Sequence, residues 1–349
     1  MHRMNMSKKD FFFNILNGMA IGIVVSLVTS ALLGEILKFL GRYSEVFITI
    51  GNAVNSFQLI TSVIIGVLAG INLKFDGIRS VILGGAALIG SGALLFEESG
   101  IRIQGMGDLI NVLVTLIIAA AIIVLIGDKL GSLNIVFLPF LGGVVPGLIG
   151  LMILPYSQAV TTALGDVIAR FTELNPLLMA ILICVFYSAL LATPISLVAI
   201  ATVVSLSGLA SGAANLGILT ACMTFLFGSI GVNNKGTIIA LIIGTGKMMM
   251  PVYFKHPIIA IPLIINGIIV GATGYFMNVQ GTPMSAGFGH TGLVGPINSL
   301  ALMDGSTSIN ILKLTIAYLI VPVIAAFIVN KLCLKFLPNY TKEMFLFKP

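Results

Sequence analysis

The chain has 349 residues, of which 58% are hydrophobic and only 9% are charged. Soluble domains carry charged side chains at about 25% of positions, so this composition excludes a soluble globular protein and predicts a polytopic membrane protein. The formal net charge of +6 is unevenly distributed, because basic residues outnumber acidic ones only after Leu174.

Four spans are predicted in the first half of the chain, each long enough to cross the hydrocarbon core. The first follows Lys8 and Lys9 and has no cleavage pattern, so it is interpreted as a membrane helix rather than a signal peptide. The positive-inside rule places these lysines and the lysine-rich C-terminal end in the cytoplasm, so both termini are predicted to be cytoplasmic. The spans are Phe11–Leu40, Val46–Leu73, Ile78–Phe96 and Leu109–Ile126.

Gly131–Leu154 comes next, and its prolines and glycines interrupt an otherwise apolar segment. Proline removes a backbone donor and glycine weakens a helix, so this segment is predicted to be a re-entrant hairpin. Tyr156–Glu173 is amphipathic, because it carries Asp166, Arg170 and Glu173. Either a polar span or a helix at the membrane interface fits that pattern.

The second half contains further spans with breaks of their own. Asn175–Leu206 is predicted to kink at Thr193-Pro194, and Leu209–Val232 is rich in the small residues that suit close helix packing. The remaining spans are Thr237–Met250, Ile258–Met277 and Ile309–Leu332.

The most heavily interrupted stretch is Asn278–Ser299, which holds five glycines, two prolines and His290 between apolar segments. Unpaired backbone polar groups are costly in hydrocarbon, so such a stretch is tolerated at membrane depth only where it is buried in protein or lines a watery cavity. We therefore predict a re-entrant hairpin at a transport site. The alternative is an exposed loop, because glycine and proline are also ordinary loop residues.

The two interrupted segments match when the chain is shifted so that Gly131 falls on Gly281. Gly142 then falls on Gly292, and Pro146 falls on Pro296, although chance matches are frequent in a chain with 39 glycines. This pattern predicts an all-α polytopic membrane protein of about ten transmembrane helices. The helices would form two repeats, 1–174 and 175–349, each with a re-entrant hairpin and lying inverted in the membrane.

A resemblance to a known family rests on four runs, Asn175-Pro-Leu-Leu-Met-Ala-Ile, Gly231-Val-Asn-Asn-Lys-Gly, Gly281-Thr-Pro-Met-Ser-Ala-Gly-Phe-Gly and Gly292-Leu-Val-Gly-Pro-Ile. The chain resembles the membrane enzyme IIC proteins of the bacterial phosphotransferase system, in the stand-alone branch that includes toxin-regulator-like proteins. The resemblance implies a sugar-translocating subunit, usually a homodimer, in the bacterial cytoplasmic membrane. Any phosphotransfer would need separate soluble partners of the IIA and IIB type. The chain differs in having no glutamate between Glu173 and Glu343, whereas better-known sugar-handling members use an intramembrane glutamate.

Polar side chains of the two interrupted segments are the candidates for contact with a small solute. Lys247 joins them because a charge at membrane depth is costly unless it is paired or hydrated, although its side chain could instead extend to an interface. The candidate solute-binding residues are Gln280, Thr282, Ser285, Gly289, His290, Thr291, Asn134 and Lys247.

The nature of the solute stays open at this level. A small organic anion suits Lys247, Lys255, His256 and His290, whereas the resemblance implies a neutral sugar. A membrane regulator or sensor that binds a ligand without moving it is the third alternative. No nucleotide loop, metal-ligand cluster or pair of nucleophile and base is recognisable, so no catalytic activity, cofactor or nucleic-acid partner is predicted.

Overall fold

The computed structural model describes residues 6–98 and 100–348, without the side chains of residues 28, 29, 31, 32 and 35. The described residues form sixteen α-helices, joined by turns and short 3₁₀ or π-helical segments, and one hairpin of two strands. The chain divides into two compact units at Val160 and Thr161, within the seventh helix. Two repeats that meet at Leu174 remain a prediction.

In the first unit, α3 packs between α1 and α4, and α3 continues α2 after a bend of 50°. The chain leaves α4 at Gly90, earlier than predicted, because Gly92 has a φ of +73° and turns it into the strands. The elements are α1 (Lys8–Leu40), α2 (Glu45–Leu59), α3 (Thr61–Asn72), α4 (Gly77–Gly90), antiparallel β1 (Leu94–Glu97) and β2 (Gly100–Ile103), α5 (Leu109–Ile126), α6 (Asn134–Leu138) and α7 (Val145–Thr172).

Polar contacts join α4 and α5 at both ends. At one end, Arg79 donates to the Asp128 carboxylate at 2.7 Å, and this hydrogen bond lowers the pKa of the exposed Asp128 carboxyl. At the other end, the fully buried Asn111 amide donates to the Gly90 carbonyl. It also donates to the Gly150 carbonyl of α7 at 2.8 Å. One buried amide therefore holds three helices of this unit together.

Gly131–Leu154 is helical, so the prediction of a re-entrant hairpin at this segment is wrong. A 3₁₀ turn at Gly131–Leu133 leads into α6, and a π-helical segment, Pro139–Val144, leads directly into α7. Proline clashes with the carbonyl four residues earlier in a regular α-helix, whereas a wider turn makes room for the ring. The interruption that proline imposes here is therefore a widened turn, and α7 continues without a break through the predicted amphipathic segment to Thr172.

The second unit is built around α10, in which nearly every residue is buried. α8 and α13 pack against α10 and against each other, and α16 packs on α10 and α13. The helices are α8 (Pro176–Leu190), α9 (Leu197–Val203), α10 (Gly208–Ser229), α11 (Lys235–Ile243), α12 (Met250–Lys255), α13 (Ala260–Phe276), α14 (Val294–Leu302), α15 (Thr307–Thr315) and α16 (Val321–Phe336), with a π-helical segment at Ile316–Ile320.

Six helical stretches of the described residues are long and apolar enough to cross a membrane, and the bent pair of α2 and α3 is a seventh if it counts as one span. The chain is therefore an all-α, multi-pass membrane protein. α4 and α8 are apolar but shorter, and α11 ends at the Gly244 break, so a total of about ten spans remains a prediction. The six stretches are Lys8–Leu27, Leu109–Ile126, Gly131–Thr172, Gly208–Ser229, Pro257–Phe276 and Thr307–Phe336.

Candidate functional site

Three interruptions of helical structure meet in the second unit. The first, residues 191–196, separates α8 from α9, and the second, at Gly244 and Thr245, ends α11. The third is residues 278–293 between α13 and α14, here called the central loop. Thr291 of the central loop donates to the Gly244 carbonyl at 3.4 Å, so the second and third interruptions are in direct contact.

The central loop lies against the N-terminal half of α10. The backbones of Gly208 and Gly281 exchange hydrogen bonds of 2.9 and 3.0 Å, and Ser211 donates to the Thr282 carbonyl at 2.7 Å. A side chain at Gly212 is sterically excluded, because its Cβ would lie 1.9 Å from the Val279 carbonyl oxygen. Glycine on α10 therefore permits the backbone contact that positions the loop.

Asn215 of α10 holds the middle of the loop. Its side-chain amide donates to Ser285 Oγ at 3.3 Å, and its carbonyl oxygen accepts from the Gly289 backbone N–H at 3.0 Å. Ser285 Oγ in turn donates to the Thr282 carbonyl at 3.0 Å and accepts from the Thr282 N–H at 2.9 Å. Thr282 and Ser285, both predicted to contact solute, thus form a hydrogen-bonded turn, and Asn215 links that turn to Gly289, which was also a predicted contact.

Left-handed backbone prevents the loop from becoming helical. Asn278, Gly289, Gly292 and Leu293 all have positive φ, at 53°, 63°, 58° and 61°. A right-handed helix requires negative φ. Helical structure therefore ends with α13 and resumes only at α14.

Most of the central loop is buried or half-buried although it is irregular, and only Asn278, Met284 and Leu293 of it are exposed. Val279 and Ala286 are fully buried, and Ser285 is 1% exposed. This burial disfavours the alternative of an exposed loop, and a re-entrant hairpin remains the prediction for the central loop. Its backbone groups find partners on α10 and within the loop, which is the condition under which irregular backbone is tolerated at membrane depth.

His290 stands where the central loop meets the end of α11. Its Nε2 lies 2.9 Å from the Ile242 carbonyl oxygen; because a carbonyl only accepts, Nε2 carries the proton and the neutral ring keeps Nδ1 as an acceptor. Nδ1 is buried and has no hydrogen-bond partner among the described residues. The site therefore contains one buried acceptor that has no hydrogen-bond partner in the described part of the chain.

Lys247 faces the first interruption rather than an interface. Its ammonium group donates to the carbonyls of Ile195 at 2.7 Å, Thr193 at 2.9 Å and Leu191 at 3.4 Å. An ammonium has three donors, and three main-chain oxygens take them. No carboxylate within the described ranges pairs with it.

Two further predicted residues lie apart from this junction. Gln280 donates to the Asn278 side chain at 2.5 Å, at the start of the loop. Asn134 begins α6 in the first unit, where its side-chain oxygen is buried without a partner in the described part of the chain. The other six candidates lie in the central loop or beside Gly244, all in the second unit.

Sequence reasoning missed the residues of α10 that hold the loop. Gly208, Ser211, Gly212 and Asn215 are small or polar, and their spacing of three or four residues puts them on one face of the helix. From sequence, these small residues predict only close packing against other helices. The polar residues on this face are the signal that could have indicated packing against irregular backbone. Irregular backbone needs hydrogen-bond partners from its neighbours, whereas a helix satisfies its own backbone groups.

Comparison with known proteins gives one match. A family model described as "Phosphotransferase system, EIIC" matches residues 13–347, nearly the whole chain. No curated protein and no solved structure matches.

Proposed function

Because the chain belongs to the enzyme IIC family of the phosphotransferase system, whose members are the membrane permease components of that system, we propose that it binds and translocates a neutral sugar at the junction of the central loop with the end of α11. His290 is the principal contact, with Thr291 beside it, and Gln280 is a further candidate at the start of the loop. Thr282, Ser285 and Gly289 act mainly by shaping the loop, because their polar groups are already joined to each other and to Asn215.

One observation carries this assignment. His290 Nδ1 is a buried acceptor to which no described residue donates, while Nε2 is fixed by the Ile242 carbonyl. A buried polar atom without a hydrogen bond costs about 1 to 3 kcal/mol, which a bound hydroxyl would offset. Sugars present hydroxyl donors, so a sugar is the chemical class that this acceptor suits.

A small organic anion is disfavoured by the same geometry. The anion alternative relied on Lys247 as its cation, and the three donors of Lys247 are directed at main-chain carbonyls. A neutral His290 with a free acceptor would repel a carboxylate rather than attract it. A neutral sugar is therefore the favoured class of solute, and a small organic anion is the less favoured one.

Partners and setting follow from the family. Soluble components of the IIA and IIB type would supply phosphate, as membership of this family suggests. We also propose a homodimer in the bacterial cytoplasmic membrane with both termini on the cytoplasmic side. These two proposals are independent of the assignment of the sugar site.

A ligand screen followed by a transport assay tests the function. The melting temperature of the detergent-purified chain is measured with neutral monosaccharides and disaccharides, and with uronic acids and sugar phosphates as the anionic set. The sugar that raises it most is then used for counterflow, in which proteoliposomes loaded with unlabelled sugar accumulate labelled sugar. We expect a neutral sugar to stabilise the chain and to be accumulated.

Two results would contradict this function. Stabilisation by the anionic set alone would reinstate the anion, whatever the liposomes do. Binding of a neutral sugar with no counterflow, in vesicles that hold folded protein, would identify the chain as a ligand-binding regulator instead of a transporter.

A further inference from the structure

The interruption between α8 and α9 exposes main-chain carbonyls to the protein interior. α8 ends at Leu190 and α9 begins at Leu197, and Pro194 between them has no N–H to donate. The carbonyls of Leu191, Thr193 and Ile195 converge on a single atom, Lys247 Nζ. Three oxygens around one positive charge make a cage, here called the carbonyl cage.

The carbonyl cage has the chemistry of a monovalent cation site. Unwound backbone carbonyls at the ends of half-helices are the ligands with which transporters coordinate Na⁺. The helix macrodipole places partial negative charge at the C-terminal end of α8, where these carbonyls begin. A cation is therefore favoured at this position whether or not it is tethered to the chain.

Lys247 is held at the cage by the second interruption. It lies in a 3₁₀ turn, Gly246–Met249, directly after Gly244 and Thr245. Gly246 permits this approach, because a Cβ there would lie 2.6 Å from Leu191 Cδ2. The lysine thus joins two helix breaks through one ammonium group, and no carboxylate within the described ranges shares it.

We propose that the carbonyl cage is a monovalent-cation site whose native occupant is the ammonium group of Lys247. The tethered cation keeps the cage closed to Na⁺, K⁺ and ammonium from solution, and it fixes the first two interruptions next to the central loop. Lys247 is therefore a positioning residue, distinct from the solute contacts. This proposal goes beyond the sugar assignment and does not depend on it.

Chemical rescue tests the proposal. Lys247→Ala removes the ammonium and leaves room for a small cation in the cage. The melting temperature of the purified variant is measured in methylammonium, ammonium, Na⁺ and K⁺ chlorides, and in tetramethylammonium chloride, which has no N–H donor, at one ionic strength. Lys255→Ala, which removes an exposed lysine eight positions along the chain, is the matched control.

We expect Lys247→Ala to lower the melting temperature by about 4 °C or more. Methylammonium or ammonium should restore at least half of that loss, and tetramethylammonium should restore none. Lys255→Ala should melt like the wild type in every salt. A folded Lys247→Ala variant that responds to none of the four small cations would overturn the proposal, as would equal rescue by tetramethylammonium.

The wild-type chain provides a test that does not require the variant to fold. Because the tethered ammonium already fills the cage, the wild-type melting temperature should be the same in Na⁺, K⁺ and tetramethylammonium chlorides. A wild-type chain stabilised specifically by Na⁺ or K⁺ would show that the cage admits a free cation beside Lys247, and the proposal would fail. If no neutral sugar binds the wild-type chain while its melting temperature responds to the salts as expected, that result would count against the sugar assignment alone.

Discussion

Two segments of similar composition adopt different backbone structures in this molecule. Gly131–Leu154 and the central loop with the start of α14 both combine prolines with clustered glycines, and both lie between apolar stretches. The first is helical throughout, with one widened turn, whereas the second is irregular over residues 278–293. Their C-terminal ends still agree, because Pro146 and Pro296 each lie in the first turn of a helix.

The difference lies in the surface that each segment meets. Gly142 and Gly143 pack against the side chains of Ile123 and Ile82, which supply no hydrogen bonds, so the segment must satisfy its backbone internally as a helix. The central loop meets α10, where the side chains of Ser211 and Asn215 form hydrogen bonds with its polar groups. Irregular backbone thus persists where a neighbouring helix offers polar partners and glycine, and composition alone does not decide the outcome.

The largest effect should follow from closing the gap between α10 and the central loop. Gly212→Ala puts a methyl group 1.9 Å from the Val279 carbonyl oxygen, and backbone on both sides leaves it little freedom to move. We expect a loss of about 3 kcal/mol or more, at the upper end of the range for overpacking. Thermal denaturation in detergent measures it.

Gly85→Ala is the control for that substitution. Gly85 lies in α4, and no described atom lies within 4 Å of the added methyl group, so alanine there should be neutral or stabilising. If Gly212→Ala and Gly85→Ala have the same melting temperature, the central loop does not pack against α10 as described.

A second comparison uses two fully buried asparagines, Asn215 and Asn111. Asn215→Ala strands the Gly289 N–H inside the protein and should cost about 2 to 3 kcal/mol. Asn111→Ala removes donors from the Gly90 and Gly150 carbonyls and the acceptor of the Ser157 hydroxyl. The Gly150 carbonyl also has a partner within α7, and the Ser157 hydroxyl can rotate to a main-chain carbonyl of its own helix, so about 1 kcal/mol is expected. Melting temperatures rank the two variants, and a larger loss for Asn111→Ala would mean that the helical segment, not the loop, depends on its amide.

A smaller effect, opposite in sign at the two segments, is expected from leucine to glycine changes. Leu293 is 60% exposed with a φ of +61°, and Leu148 is 51% exposed inside α7. Leu293→Gly relieves a left-handed conformation and should stabilise by about 0.5 to 1 kcal/mol. Leu148→Gly should destabilise by about 1 kcal/mol. The same sign for both in thermal denaturation would contradict the backbone difference between the segments.

Much of the architecture was accessible from sequence because it depends on local composition. The span Leu109–Ile126 is bounded by Asp108, which caps α5, and by Gly127, and both signals are visible in the chain. The kink predicted at Thr193-Pro194 is confirmed by the break between α8 and α9. The membrane class and the family assignment likewise followed from composition and from the glycine-rich runs.

The rest depends on partners that sequence does not show. Whether Pro139 ends a helix or widens it is decided by what packs beside it. The role of Asn215 appears only when α10 and the central loop are adjacent, and Asn215 is more than sixty positions from the start of that loop. The sequence likewise predicts Lys247 as a candidate ligand for an anion. Its actual partners are main-chain carbonyls, which every residue carries and which the sequence therefore cannot identify.

The smallest effect on folding, and the most direct test of the sugar site, belongs to His290→Ala. Equilibrium binding of the sugar selected by the thermal screen is measured for the wild type, for His290→Ala and for Met284→Ala, an exposed change in the same loop. Loss of the Nδ1 acceptor should weaken binding by about 1 to 3 kcal/mol with little change in melting temperature, while Met284→Ala binds as the wild type does. Unchanged affinity in a folded His290→Ala protein would contradict the placement of the sugar site at the central loop.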